Sequence, residues 1–257
     1  MGALENVDWE SYDFIDLGCS TGGSIEHCMS RFGAKRGLGI DLDPDKVENT
    51  KRTGLDAVVA DARELNLDGQ VSFISMLDFC EHLPEVETVQ EIITAAAASA
   101  RDFLYIKHPS FEGQEYAEGE GVRQYWWGWH GHTAHVRVAD YCTIFDLLGL
   151  SAYMIRYIGR VDDSTHPSII PTTTPMDQSE SDAQAITDVP EVSFSPPLWR
   201  RQDIFVALRP FETDEWHALT RPTAQDLKLM RATGQLPGDQ TIAEHLRPKR
   251  KTVSLSR

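Results

Sequence analysis

The sequence predicts an α/β fold built on a doubly wound, mostly parallel sheet, and three observations support this. The chain has 257 residues, 41% of them hydrophobic, which suits one large domain with additions. Short apolar runs alternate with segments of helical periodicity from residue 13 to residue 107. The first apolar run stops at a cluster of glycines and other small residues, as a buried strand entering a tight turn would. Alternation at this spacing indicates parallel strands with right-handed crossovers.

The first unit of this fold is the stretch from Asp13 to Gly23, which begins apolar and then breaks into small residues. Residues 24–32 follow with apolar side chains at helical spacing. Strand, glycine turn and helix start together bring backbone N–H groups close to a nucleotide-like ligand. Two other interpretations remain: a dinucleotide loop, although its middle glycine is absent, and a Gly-x-Ser-x-Gly hydrolase elbow. Too few residues precede the turn to build a hydrolase sheet.

The remaining elements follow in order along the chain. Strands are predicted at 37–43, 56–61, 71–77, 103–107, 151–158 and 202–208, and helices at 44–52, 84–100 and 139–148. Pro44 suits the first turn of its helix. The C-terminal part carries one further predicted helix, from Thr223 to Thr233, and a basic end.

Carboxylates mark the ends of the first three predicted strands, at Asp16, Asp41 and Asp61. In a doubly wound sheet the ligand binds beyond the carboxyl ends of the strands, so these ends should line one crevice. Asp41 follows the glycine turn at the spacing expected of a carboxylate that accepts hydrogen bonds from ribose hydroxyls. An acid at a strand end is also a common helix N-cap, as Asp43 before Pro44 illustrates.

The segment Asp16-Leu17-Gly18-Cys19-Ser20-Thr21-Gly22 resembles the cofactor loop of class I S-adenosylmethionine-dependent methyltransferases, with Ser20 at the middle glycine. Asp78 to Pro84 resembles the Asp-x-x-Glu-His-Leu stretch of small-molecule methyltransferases of the ubiquinone-biosynthesis type. The resemblance covers residues 13–160 and the closing strand. It implies a Rossmann-like, seven-stranded sheet with one antiparallel strand, the last, and S-adenosylmethionine as cofactor. The implied cofactor-binding residues are Asp16, Gly18, Cys19, Ser20, Gly22, Asp41, Leu42, Asp61, Ala62, Met76 and Leu77.

The segment 108–137 follows the fifth strand and should therefore reach the ligand face. It is rich in aromatic and histidine side chains, which suit a pocket that excludes water and deprotonates an acceptor. His132, His135 and His108 are the candidate general bases. Core packing is the alternative role for the tryptophans. The spacing of His130, His132 and His135 matches no regular zinc motif, so no metal site is predicted.

Composition restricts the class of partner. The formal net charge of −16 would repel nucleic acid phosphates, apart from a short basic tail at 247–257. No apolar run is long enough to cross a membrane, and the acidic N-terminus lacks the apolar region of a signal peptide. Four scattered cysteines suit free thiols, so we expect a cytoplasmic protein. The oligomeric state cannot be derived from these observations.

These observations predict a methyltransferase domain at 1–210, with substrate-side insertions at 108–137 and 159–199, and a C-terminal extension at 211–257. The second insertion should cover the acceptor as a lid. The leading hypothesis is methyl transfer to a small-molecule or saccharide acceptor, preferably at oxygen. An NAD-dependent oxidoreductase and a non-catalytic cofactor-binding module remain as alternatives.

Overall fold

The computed structural model describes residues 3–222 and 227–233. Ten strands are assigned in these ranges: β1 Phe14–Leu17, β2 Gly37–Asp41, β3 Asp56–Val59, β4 Val71–Leu77, β5 Ala100–Pro109, β6 Val122–Gln124, β7 Tyr153–Asp163, β8 Ile169–Pro171, β9 Ser193–Ala207 and β10 Leu227–Thr233. The helices are α1 Gly23–Phe32, α2 Pro44–Arg52, α3 Val86–Ser99, α4 Gln114–Gly119, α5 Val138–Leu147, α6 Glu180–Gln184 and α7 Thr213–Leu219.

The main sheet has eight strands in the order β10-β7-β9-β5-β4-β1-β2-β3. The five strands from β3 to β5 pair in parallel, and β1 lies at their centre between β2 and β4. Beyond β5, β9 pairs antiparallel with both β5 and β7. The α/β class, the mostly parallel sheet and the antiparallel closing strand are therefore confirmed.

The eighth strand was not expected. The sequence predicts a helix at 223–233, and this is wrong for residues 227–233, which form β10 antiparallel to β7. Leu227 and Leu229 alternate with Lys228, a period that fits a half-buried strand as well as a short helix. The open edge of β7 offers unpaired backbone groups, and pairing with this edge overrides weak helical propensity. The rest of that predicted helix, and the basic tail, lie outside the described residues.

Local signals in the sequence account for the boundaries of the helices that flank the sheet. The side chain of Asp43 caps α2 by accepting from the backbone N–H groups of Asp45 and Lys46, at 2.9 and 3.3 Å. Helix α1 ends at Gly33, which has a φ of +69° and so occupies the left-handed region that glycine tolerates. The Asp43 cap fixes where the loop at the carboxyl end of β2 ends, and Gly33 fixes where the loop leading to the amino end of β2 begins.

The two faces of the sheet are packed differently. One face is aliphatic and is covered by α3 and α5, with Leu17, Ile74 and Leu104 among its buried residues. The other face is aromatic: Phe73 stacks between Phe14 and Phe103, with ring centroids 4.6 and 4.7 Å apart. Because both faces are buried, the strands are held rigidly and their carboxyl ends keep fixed positions.

Strands β7 and β9 extend past the edge of the parallel part of the sheet, with pairing up to Asp163 and Ser193. The connection between them carries β8, which pairs with β6 from the earlier insertion in a separate two-stranded sheet. No helix in the described part of the chain is long and apolar enough to cross a membrane.

Candidate functional site

A crevice with three adjoining cavities lies at the carboxyl ends of the parallel strands. The β2–β3 cavity, of about 500 Å³, is lined by Asp41, Asp61 and neighbouring residues. The glycine-turn cavity, of about 490 Å³, is lined by residues 18–21, 23 and 24 together with Lys107. The insertion cavity, of about 340 Å³, is lined by residues of the first insertion, by Glu81 and its neighbours after β4, and by Arg200 and Arg201 of β9. Asp78 and His82 line all three, so the cavities meet at these two side chains.

The turn after β1 holds the backbone tightly against the sheet. The backbone N–H of Gly18 donates to the carbonyl oxygen of Ile40 at 2.8 Å. Gly18 has a φ of +70°, and a Cβ atom built there would lie 2.3 Å from Cδ2 of Phe79. Ser20, at the middle glycine position, also has a positive φ, of 47°. The turn therefore adopts the glycine-like path despite the serine side chain.

Gly22 completes this turn at a φ of +92° and forms the N-cap of α1. A Cβ atom on Gly22 would lie 2.7 Å from Cδ1 of Leu55. The glycine is thus required for packing behind the turn, and it is not among the residues that line the cavities.

Asp41 lies at the end of β2 and connects the turn to the β2–β3 cavity. Its Oδ2 accepts from the backbone N–H of Ser20, and its Oδ1 accepts from the backbone N–H of Asp43, both at 3.0 Å. An ionised carboxylate has about four acceptor positions, so two remain for a ligand. Asp41 therefore orders the turn and presents acceptors to the cavity together.

Asp61 begins the segment after β3 and is engaged by a neighbouring cation. Arg63 donates to both carboxylate oxygens, with its NH2 2.5 Å from Oδ2. These hydrogen bonds lower the pKa of Asp61, so the group stays charged. Ala62 lines the same cavity, as does Leu42, whose surface is 68% exposed. A large exposed apolar side chain beside a polar cavity suits contact with a planar ligand.

Two predicted residues have buried side chains: Asp16 lies beneath the cavities, and Cys19 lines the glycine-turn cavity. Asp16 is fully buried and accepts from the hydroxyls of Ser24 and of Ser75, the latter at 2.6 Å. Burial raises the pKa of Asp16 to about 7. The thiol of Cys19 is also buried, which raises its pKa to about 12. Asp16 thus ties the start of α1 to the sheet.

Side chains alternate between the two faces of the sheet along β4, so Met76 and Leu77 point in opposite directions. Met76 is completely buried in the aliphatic core and does not line the cavities, whereas Leu77 lines the glycine-turn cavity. The apolar wall of the β2–β3 cavity is formed instead by Phe79, Leu83 and Ile92. Sequence reasoning missed these three. Of the three, Phe79 could have been predicted from the sequence, because it lies two residues after the end of β4.

Only one of the three predicted histidine bases lines the crevice. His108 is fully buried: its Nδ1 lies 2.7 Å from the carbonyl oxygen of Pro109 and its Nε2 2.8 Å from the hydroxyl of Tyr141. Burial lowers its pKa to about 4. His135 stacks on Phe111 at 4.2 Å, with both ring nitrogens in hydrogen bonds. Of the three predicted bases, only His132 lines the insertion cavity.

His132 meets two residues of the stretch after β4, Glu81 and His82. The potential ligand atoms of these three side chains all lie within 4.8 Å of one another. Burial raises the pKa of Glu81 to about 8 and lowers the pKa of His132. Glu81, His82 and His132, the Glu-His-His cluster, could hold a metal ion or exchange a proton with a ligand.

Cations balance the acids where the cavities meet. Arg201, on β9, donates from NH1 to both carboxylate oxygens of Asp78 at 2.9 and 3.1 Å. Lys107, at the end of β5, lines the glycine-turn cavity, and burial lowers its pKa. An acidic chain therefore presents two positive side chains to this part of the crevice.

The two insertions share a small core of their own. Trp126 and Trp127 are buried, and the Nε1–H groups of both donate to the carbonyl oxygen of Ser110, at 3.1 and 2.8 Å. Other members of this core come from both insertions: Phe111, Val122, Val161, Ile169, Phe194 and Leu198. Trp126 and Trp129 both line the insertion cavity, but Trp129 differs in being 43% exposed. Trp126 and Trp127 therefore pack the insertions together, and Trp129 is the exposed one.

Comparisons with known proteins agree with this arrangement. Residues 14–100, from β1 to the first residue of β5, match a family model described as a methyltransferase domain. A search of curated proteins finds no match.

Solved structures with the same fold include a SAM-dependent methyltransferase from Archaeoglobus fulgidus, at 16% identity and a TM-score of 0.52. That comparison covers 76% of this chain and 85% of the other. The YcgJ protein from Bacillus subtilis is similar at 11% identity and a TM-score of 0.52, over 78% of this chain and 93% of the other. At these identities the likeness shows the fold.

Proposed function

We propose that this S-adenosylmethionine-dependent methyltransferase transfers a methyl group to an oxygen atom of a small-molecule or saccharide acceptor. The observation that carries the proposal is the meeting of three cavities at Asp78 and His82. Two of them flank the glycine turn and suit the two halves of the cofactor. The third is lined in part by the first insertion and suits the acceptor.

The β2–β3 cavity fits the adenosine half of the cofactor. Asp41 would accept from the ribose hydroxyls with the lone pairs that the loop leaves free. Asp61 and Ala62 would lie beside the adenine amino group, and Leu42 and Phe79 beside the ring faces. Met76 would not contact the adenine, because its side chain is buried in the core.

The glycine-turn cavity fits the amino-acid half. Gly18 allows the backbone to approach closely, since a Cβ atom would collide with the ring of Phe79. The free N–H groups at the start of α1 and the ammonium of Lys107 would favour the carboxylate of the cofactor. Asp16 would act from below, by fixing the turn, and Cys19 would line the cavity with its thiol buried. Ser20 would hold the turn to Asp41.

When bound, the cofactor supplies an electrophilic methyl group, so the chain must orient the acceptor, exclude water and accept a proton. The Glu-His-His cluster is the group placed to act on the acceptor's proton, because it lies where the cavities join. His108 and His135 would support the pocket by packing, since their ring nitrogens are engaged elsewhere.

The insertion cavity favours a neutral or anionic hydroxyl compound. Trp129 and Tyr125 offer aromatic faces of the kind on which sugar rings pack, and Arg200 and Arg201 add positive charge. The net charge of −16 favours such an acceptor over nucleic acid. The insertions at 108–137 and 159–199 would cover the acceptor, and the four free cysteines suit a cytoplasmic enzyme.

Transfer of labelled methyl groups tests the proposal. The protein is incubated with labelled S-adenosylmethionine and separate pools of hydroxylated, amine and thiol compounds, with saccharides among the first. Label should enter the hydroxyl pool, and Trp129→Ala should lower this turnover at least tenfold. Leu147→Ala, which shortens an exposed side chain of α5 outside the three cavities, is the control and should change turnover less than twofold.

Calorimetry separates the alternatives. S-adenosylhomocysteine should bind and NAD should not. Binding of NAD alone would indicate an oxidoreductase. Cofactor binding without label transfer to these pools would favour a binding module. Label that enters only the amine pool would refute O-methylation and leave the methyltransferase standing.

A further inference from the structure

The Glu-His-His cluster joins two segments that are far apart in the chain. Glu81 and His82 follow β4, whereas His132 comes from the first insertion. Hydrogen bonds hold the segments together: the carbonyl oxygen of Glu81 accepts from the backbone N–H groups of Thr133 and Ala134, at 2.9 and 3.2 Å. The hydroxyl of Thr133 donates to the carbonyl oxygen of Leu83. The cluster is therefore positioned by backbone contacts before a ligand arrives.

Both imidazole rings are oriented in the same way. Nδ1 of His82 lies 2.8 Å from the carbonyl oxygen of Gly131, and Nδ1 of His132 lies 3.0 Å from the carbonyl oxygen of Trp126. A carbonyl only accepts, so Nδ1 carries the hydrogen in each ring. The lone pair of each neutral ring is then on Nε2. Metal-binding histidines are commonly held by this kind of outer hydrogen bond, which fixes tautomer and ring direction.

Glu81 supplies an independent observation. Its side chain is completely buried, with a relative exposure of 0%. Neither carboxylate oxygen has a hydrogen-bond partner among the residues that the structure describes. Buried polar atoms are nearly always paired, because an unpaired one costs several kcal/mol of solvation. Glu81 also lines the insertion cavity beside the two histidines, so its carboxylate lies next to space that a bound ion could occupy.

We propose that Glu81, His82 and His132 bind a divalent transition-metal ion where the cofactor crevice meets the insertion cavity. Two imidazoles and one carboxylate suit Zn²⁺, Co²⁺ or Fe²⁺, whereas Mg²⁺ and Ca²⁺ prefer oxygen ligands. Metal–ligand bonds of about 2.1 Å in a tetrahedral site place the ligand atoms about 3.4 Å apart. The ligand atoms, all within 4.8 Å of one another, therefore need to approach by about 1.4 Å at most.

Three protein ligands leave positions open, as in catalytic sites. This step rests on the proposed function. An acceptor hydroxyl bound to the ion would lose its proton more readily, and the proton would pass to solvent water. The oxygen would then form its bond to the methyl carbon as the carbon–sulfur bond breaks, with the electron pair going to sulfur. The ion would thus supply the deprotonation while both Nε2 lone pairs serve as its ligands.

The sequence predicts no metal site, because the ligands combine one member of the 130–135 histidine group with two residues from another loop. Spacing within one segment cannot reveal such a set. The Asp78 carboxylate lies at the same junction but is held by Arg201, so it is not needed as a ligand.

Metal titration tests the proposal without any need for cofactor or acceptor. Untagged full-length protein is stripped with a chelator and titrated with Zn²⁺ by calorimetry and with Co²⁺ by visible absorption. Wild type should bind one equivalent, with a Co²⁺ spectrum of low coordination number, and Mg²⁺ at the same concentration should not compete. Glu81→Gln and His132→Asn should each weaken binding at least 100-fold.

The matched control is His130→Asn, two residues from His132. His130 is exposed and bonded to Asp177, outside the cluster, so its loss should change affinity less than twofold. Melting temperature and binding of S-adenosylhomocysteine establish that each variant is folded. If Glu81→Gln fails to fold, the half-buried His132 provides the decisive variant.

Wild-type affinity no tighter than that of folded His132→Asn would overturn the site, as would equal weakening by His130→Asn. Metal binding without methyl transfer would leave the site standing and count against the proposed function. Methyl transfer by stripped protein that has no affinity for metal would refute the metal site and leave the proposed function standing.

Discussion

Replacement of Asp41 by asparagine should weaken cofactor binding strongly. The carboxylate holds the backbone N–H groups of Ser20 and Asp43, one on each oxygen, and we assign its remaining lone pairs to the ribose. Asparagine keeps one oxygen, but its amide nitrogen only donates. One backbone N–H would then face an N–H₂ group, and at least one ribose hydroxyl would lose its acceptor.

The expected loss of binding free energy follows from the contribution that each of these hydrogen bonds makes. A hydrogen bond to a charged group contributes about 1.5–3 kcal/mol, and a donor left unpaired costs about 1–3 kcal/mol. A combined loss of about 2.5–6 kcal/mol corresponds to a reduction in affinity of roughly 70- to 25,000-fold. Isothermal titration with S-adenosylhomocysteine measures this directly, and thermal melting checks that the variant is folded.

The matched control is Asp45→Asn, which makes the same change of charge four residues away. Asp45 is exposed on the first turn of α2, and only its backbone N–H takes part in the cap by Asp43. Its substitution should leave affinity within twofold. If Asp41→Asn bound S-adenosylhomocysteine within threefold of wild type while remaining folded, the assignment of Asp41 to the ribose would be refuted.

Two further predictions concern the turn and the buried acid beneath it. Gly18→Ala forces a Cβ atom to within 2.3 Å of Phe79 at a φ of +70°, so affinity for S-adenosylhomocysteine should fall at least tenfold, given a strain of about 1–2 kcal/mol and the displacement of the ring. Gly119→Ala, at the end of α4 and outside the three cavities, adds a Cβ atom that meets nothing within 4 Å. This variant should bind normally, and equal effects of the two substitutions would contradict the steric argument. Burial raises the pKa of Asp16 from 3.8 to about 7, so the folded state holds this proton more tightly than the unfolded state does. The free energy of unfolding should therefore decline as pH rises from 4 to 7, by up to about 4 kcal/mol. Urea titrations across that range should show a flatter decline for Asp16→Asn, and identical slopes would count against a raised pKa.

The repeating core of the fold was readable from the sequence because strands buried on both faces form continuous apolar runs. The predicted helix at 44–52 coincides with α2, since Asp43 and Pro44 mark its start without ambiguity. β10 was not readable. Its seven residues satisfy either period, and pairing with β7, distant in the chain, determines their state.

The candidate site was readable in the parts that depend on strand ends. Asp41 and Asp61 line the crevice because parallel strands present their carboxyl ends on one side. The roles of the histidines were not readable, because residues close in sequence diverge in the fold. His132 reaches the cavity, whereas His135 packs on Phe111. That difference depends on the path of the insertion, which local sequence does not specify.

The small core shared by the two insertions has a consequence for how acceptor preference can diverge. The side chains of this core pack mainly on one another and form a cluster separate from the aliphatic core of the main sheet. Substitutions that reshape the acceptor side can therefore be tolerated without loosening the strands that carry Asp41 and Gly18. Because both insertions contribute to one core, exchange of a single insertion between homologues should fail where exchange of the pair succeeds. The two loops are expected to evolve as a matched unit on a conserved scaffold.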